Sequence, residues 1–162
     1  MPLIRNGAWA EDDFETVADD AALPEGAAIV SLKRFQAERE TLLARNAGLG
    51  VKLASSQSPE ALGDDVQRLS VIVLEFPTFR DGRGFSWARM LRTRMDYKGE
   101  IRASGGFLAD QLAHLTRVGV DAFDGDARIT PEALKHALAE ISHPYQPAAD
   151  GKIAIRELRA AR

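Results

Sequence analysis

The chain contains no cysteine, which excludes disulfides, thiol nucleophiles and cysteine-held zinc or iron–sulfur centres within it. Histidine is scarce: His114, His136 and His143 have no ligand spacing with one another, so surface or capping roles are expected of them, and no metal. There is no GxGxxG, no Walker lysine motif and no GxSxG elbow, hence no dinucleotide, nucleoside-triphosphate or serine-hydrolase reading. Nothing in the sequence marks a site for NAD, flavin or haem, and the cofactor is left unassigned. No apolar run approaches membrane-spanning length. The opening MPLIRNGAWAEDD lacks the apolar core of a signal peptide, so a cytoplasmic protein with no membrane partner is expected.

What is present suits one domain with a sizeable core: 162 residues, 45% of them hydrophobic. The formal charge of −3 argues against nucleic acid as a partner, but it is unevenly spread. Between Pro77 and Arg102 stand seven basic residues against three acidic ones, so that stretch carries +4 and the remainder −7. A local positive field in an acidic protein fits a small anion or one acidic partner surface better than a long polyanion.

The chain divides into an N-terminal hairpin and loop (1–26), an α/β domain (27–143) and a tail (144–162). Leu3–Arg5 and Trp9 suggest an edge hairpin turning at Asn6-Gly7, with Trp9 as a lid over the core edge. EDDFETVADDAALPEG reads as loop. Strands are expected at Ala27–Leu32, Val51–Ala54, Val71–Phe76, Glu100–Ser104 and Val120–Phe123. Helices are expected between them: Lys33–Asn46, one from Ser58-Pro59-Glu60 through Leu69, Ser86–Met95, and one through Leu108 to Val118. A last helix starts at Thr130-Pro131-Glu132, with Leu134, Ala137, Leu138 and Ile141 as its stripe. HPYQPAADG reads as a turn-rich connector, and KIAIRELRAAR as a short edge strand or a frayed end. This alternation means βαβ units and a mostly parallel sheet, as an open three-layer sheet first and a partial β/α-barrel second.

Ligands of parallel α/β folds bind beyond the carboxyl ends of the strands. Three loops fall on that edge: Ser55–Gln57, Pro77–Gly84 and Ser104–Gly106. In the second, Gly82 and Gly84 would allow positive φ and close backbone approach. Arg80 and Arg83 offer planar forks for phosphate, sulfate or carboxylate, and Asp81 between them would orient one fork. Ser86, Arg102, Ser104, Gly105, Gly106 and Gln111 complete the ligand-binding set. Glu75 is the odd residue in VIVLEF and needs a partner, for which Arg102 or a loop arginine is expected. Glu75, Asp81 and Asp110 are the candidates for proton transfer. Arg89 and Arg92, three apart on one helix flank, suit a solvated face or a docking contact.

The string LEFPTFRDGRGFSWARMLRTRMDYKGEIRASGGFLADQLAHLTRVGVDAF, Leu74 to Phe123, closely resembles a bacterial domain family of unknown function. Members of that family are encoded beside assimilatory sulfite reductase and are labelled oxidoreductases of sulfite reduction on that association. The shared pattern is F-P-x-F-x-D-G-R-G-x-S-x-A-R-x-L-R from Phe76, Y-x-G-E-x-R-A-x-G from Tyr97, then D-Q-L at Asp110 and G-x-D-x-F at Gly119. The family has no assigned catalytic residues to carry over. The resemblance implies a role in sulfite reduction or sulfur metabolism, and three readings follow. One is an accessory protein binding a small oxyanion or phosphorylated metabolite at the loop rim. Another is an oxidoreductase acting at the same site. The third is an interaction module docking on sulfite reductase or its electron donor.

Overall fold

The chain is described by a computed structural model covering residues 3–140 and 148–160. The apolar run Val71–Phe76 (β6) sits in the middle of the sheet, as a strand buried on both faces must. Leu49–Leu53 (β5) and Ala27–Ser31 (β4) pair with it in parallel on one side, and Glu100–Gly105 (β7) and Ala122–Asp124 (β8) on the other. The hairpin forms as its turn dipeptide demands: Leu3–Arg5 (β1) and Ala8–Ala10 (β2) are antiparallel across Asn6 and Gly7, both at positive φ. Phe14–Thr16 (β3), inside the stretch expected to be loop, pairs with β4. Its three residues have no alternating pattern of their own, and Phe14 supplies the reason by packing on Ile29, Val71 and Val73.

Among the described residues these eight strands make one sheet in the order β2-β1-β8-β7-β6-β5-β4-β3. From β3 to β8 the order never reverses. Right-handed crossovers that always step the same way place every helix on the same face. Leu32–Ala37 (α1), Arg39–Leu43 (α2), a 3₁₀ segment at Pro59–Arg68, Arg83–Thr93 (α3) and Leu112–Arg117 (α4) therefore cover one side, and Pro131–Ala139 (α5) packs beside α4. The main core lies between that layer and Ile72, Leu74, Phe76, Ile101, Ala103 and Phe123. Three layers would need a reversal in strand order, so that expectation is corrected to two layers with a curled sheet, the barrel-like alternative.

The curl follows from a length argument. Laid flat at ~4.8 Å between strands, the edges β2 and β3 would stand ~34 Å apart. Only Glu11–Asp13 join them, and a chain from Ala10 to Phe14 reaches at most ~14 Å. The sheet must bend until its edges approach. Inside the bend, Arg102 is 3% exposed and its guanidinium is held at Nη1 and Nη2 by Asp12 (2.7 and 3.1 Å) and at Nε by Glu100 (3.0 Å). Arg5 takes the other oxygen of Glu100 at 2.6 Å. The joining segment is thus tied to the floor of the sheet it bridges.

Other departures are local. The first helix breaks at Glu38, which leaves helical geometry at φ −115° and separates α1 from α2. The Ser58-Pro59-Glu60 start holds, but Gly63 at φ +54° interrupts the segment, which winds as 3₁₀ turns. Leu108 to Val118 likewise begins with a 3₁₀ turn at Ala109–Gln111 before α4. Trp9 is 52% exposed on the edge strand β2. Ile155–Ala160 (α6) is a short helix, neither edge strand nor frayed end. Ile141, His143 and Pro144–Pro147 of the connector lie outside the described residues. Among the described residues no helix is long and apolar enough to cross a membrane.

Removing a partner from a buried charge is costly even when a second partner remains. Asp12→Ala is expected to lower unfolding stability by about 3 kcal/mol, read as a shift of the urea midpoint at unchanged slope.

Candidate functional site

The loop between β6 and α3 is built from its ends inwards. Asp81 N–H donates to the Thr78 carbonyl at 3.1 Å, so Thr78–Asp81 form a turn with Phe79 and Arg80 at its tip. Asp81 then holds Arg83 three times: Oδ1 accepts from the backbone N–H (3.2 Å) and from Nε (2.9 Å), and Oδ2 accepts from Nη2 (2.7 Å). Nη2 also donates to Ser55 Oγ at 3.1 Å, and Trp87 Nε1 donates to the Ser55 carbonyl at 2.9 Å. The loops after β5 and β6 are thereby joined. The Arg83 side chain nevertheless stays 54% exposed, and Nη1 is not used in these contacts.

Arg80 is exposed, with its guanidinium 5.5 Å from the Phe79 ring centroid. Ser86 is exposed in the first turn of α3. That turn has no acidic residue, and its N-cap, Gly82, offers no side chain. Cations at a helix start oppose the helix dipole, and Asp81 is the compensating acid. The Arg83 fork, and secondarily the Ser55 hydroxyl, pull the Asp81 carboxyl well below its ordinary value of 3.8.

The glycines do other work than that expected of them. Neither Gly82 nor Gly84 has positive φ. A Cβ on Gly84 would stand 2.3 Å from the Phe76 ring, so that residue lets α3 settle on β6. Gly105 is at φ +110°, and a Cβ there would stand 2.5 Å from the Phe76 carbonyl oxygen. Gly106 donates its N–H to that same oxygen. The pair lets the loop after β7 close against the end of β6. Gln111 locks the other side, accepting from Leu108 N–H (3.0 Å) and donating to the Phe79 carbonyl (3.1 Å).

Several expected site residues lie elsewhere. Arg102 is spent on Asp12 and Glu100 in the floor of the sheet and is not at the rim. Glu75 pairs with Lys52 at 2.8 Å, on the concave face, instead of with an arginine. Parity gave the signal: Lys52 interrupts LGVKL as Glu75 interrupts VIVLEF, and both point away from the helices. Ser104 donates to Asp124 at 3.2 Å in the same face. Asp110 is exposed, and among the described residues no hydrogen bond or ion pair joins it to Glu75. Arg92 turns inward instead of facing a partner. It donates to the carbonyls of Gly119 (3.1 Å), Tyr97 (2.6 Å) and Gly99 (2.9 Å) and pairs with Asp121. Asp121 also accepts from Ile101 N–H. Arg89 is exposed as expected.

A cavity of about 550 Å³ opens at the opposite, N-terminal end of the strands, lined by Asn6, Tyr97, Lys98 and Leu134 among others. Its arginine, Arg92, is paired with Asp121, and its other aspartate, Asp150, is paired with Arg117. Among the described residues no group of three or more His, Cys, Asp or Glu is placed to hold a metal ion.

A carboxylate whose pKa is lowered by folding adds stability above its unfolded value, and that stability is lost as pH falls through the folded one. Asp81 therefore contributes fully at neutral pH and progressively less below about 3.8. Asp81→Asn should be less stable than wild type at pH 7 and converge on it in acid, as followed by thermal unfolding across pH 2–7.

No curated protein matches the chain. A family profile matches residues 50–155, from β5 to the start of α6, and takes in Ser55, the whole Phe79–Trp87 assembly, Arg92 and Asp121, while leaving out Asp12. That match spans more than half of the sequence, and the chain belongs to the bacterial family of proteins of unknown function DUF934.

Proposed function

We propose that this protein binds a small oxyanion at the rim formed by Ser55, Arg80, Asp81, Arg83 and Ser86, and serves sulfur metabolism as an accessory of sulfite reduction. The observation that carries the reading is the Arg83 fork. One nitrogen edge is fixed by Asp81 and Ser55, while most of the side chain stays in solvent. A guanidinium held in this way has already lost much of the freedom that binding would otherwise cost, and its planar donors match the oxygens of sulfite, sulfate or phosphate. Arg80 adds positive potential at the same place, where the first turn of α3 carries no acidic residue of its own. In curled parallel sheets of this kind, loops at the carboxyl ends of the strands are the usual place for a site. Sulfite and sulfate are the first ligands to test because of the resemblance to a family encoded beside sulfite reductase.

A second reading has its own observation. Arg83 and Arg89 on α3 and Arg94 at its C-cap are all exposed, and the helix has no acidic residue, which suits docking on an acidic protein face. Arg94 takes the place there that the sequence assigned to Arg92.

A ligand at 100 times its dissociation constant stabilises by about 2.7 kcal/mol, or roughly 5–10 °C in a domain of this size. Sulfite or sulfate is expected to raise the melting temperature of wild type by that amount and to leave Arg83→Ala unmoved. An equal shift in both proteins would remove the loop from the reading. Retained binding to an acidic partner in Arg83→Ala, lost in Arg89→Glu/Arg94→Glu, would favour the docking reading.

A further inference from the structure

Phe79 has no place in an oxyanion site, yet it stands at the tip of the loop that builds one. It is 46% exposed even with Arg80 over its ring, and large hydrophobic residues at such exposure number only three among the described residues. The other two, Trp9 and Ile153, lie on the edge strand and in the tail. Phe79 is also held: its carbonyl accepts from Gln111 Nε2, and the Thr78–Asp81 turn fixes the backbone on either side. A ring kept in water on a fixed backbone, four residues from a preorganised arginine fork, is a stacking platform beside an anion clamp.

We infer that the ligand of this rim carries its oxyanion on a planar ring system, as a nucleoside monophosphate does, with the ring stacked on Phe79 and the anion on Arg83. The inference rests on the oxyanion reading above and narrows it. Stacking on an aromatic side chain tolerates any π-face, so Phe79 sets a preference for a ring without selecting among bases. Arg80, already seated over Phe79, supplies a second flat cation that a ring can displace or cover. No bond is made or broken in this proposal.

The test uses AMP, ribose 5-phosphate, adenosine and inorganic phosphate as probes, with binding measured by calorimetry on the full chain. AMP should bind about tenfold tighter than ribose 5-phosphate. Phe79→Ala should bring that ratio close to one while leaving phosphate affinity unchanged, and Phe79→Trp should restore the preference. Arg83→Ala should abolish binding of all three phosphates. Equal affinities for phosphate, ribose 5-phosphate and AMP in wild type would overturn the ring proposal and leave the oxyanion reading standing. An AMP preference that survives in Phe79→Ala would overturn it as well. No binding of any phosphate would overturn the ring proposal, while the oxyanion reading is decided separately by the response to sulfite and sulfate. Because Phe79 is exposed and away from the core, Phe79→Ala is expected to fold, and an unchanged melting temperature verifies this.

Discussion

A guanidinium buried in the floor of a curled sheet sets the terms for the rest of this structure. Arg102 lies in β7 with its nitrogens turned to Asp12 and Glu100, and Glu100 is shared with Arg5. Burying a charge is unfavourable unless its donors are met, and here they are met by Asp12 from the link between β2 and β3 and by Glu100 from the same strand. The bend of the sheet brings them together. The short Glu11–Asp13 link permits no flatter arrangement, and the network permits no looser one. Val71, Val73 and Ile29 fill the remaining floor with Phe14.

The arginines of this protein look alike in the sequence and part company in the fold. Arg92 binds three backbone carbonyls and Asp121, so it is a staple that fastens α3 to the chain before β7 and before β8. Gly119 accommodates it: a Cβ there would stand 2.4 Å from Arg92 Cγ. Arg102 neutralises the sheet floor. Arg83 and Arg80 remain in solvent above the strand ends. Of the seven basic residues counted between Pro77 and Arg102, Arg92 and Arg102 are therefore spent on structure, and the rim owes its field to Arg80 and Arg83 at a helix start.

Legibility followed the range of the interactions. The central strands, the Asn6-Gly7 hairpin and the capped start at Thr130 were readable because apolar runs, turn dipeptides and caps act within a few residues. The loop bearing Asp81 and Arg83 was readable for the same reason, since its key contacts are two residues apart. What could not be read lies at long separation. Arg102 meets Asp12 across ninety positions, and nothing near Asp12 marks it. The partner of Glu75 was missed although Lys52 breaks its strand with matching parity. The layer count failed for a topological reason: alternating strands and helices look the same whether strand order reverses or not. The glycines of DGRG and SGG were read as room for a ligand; at Gly84 and Gly105 that room is taken by Phe76, while the space around Gly82 is open.

The pairing of β1 with β8 has a temporal meaning. Ile4 lies opposite Phe123, so nearly three-quarters of the chain separates two residues that must become neighbours. During synthesis β1 emerges long before β8 and can be placed against it only once that partner exists. Contacts of such separation slow folding. Until β8 arrives, the hairpin and the acid that Arg102 requires have nowhere to dock. The parallel strands from β4 to β7 can assemble without them, and the arginine of β7 then waits in a half-built floor for a residue made long before it.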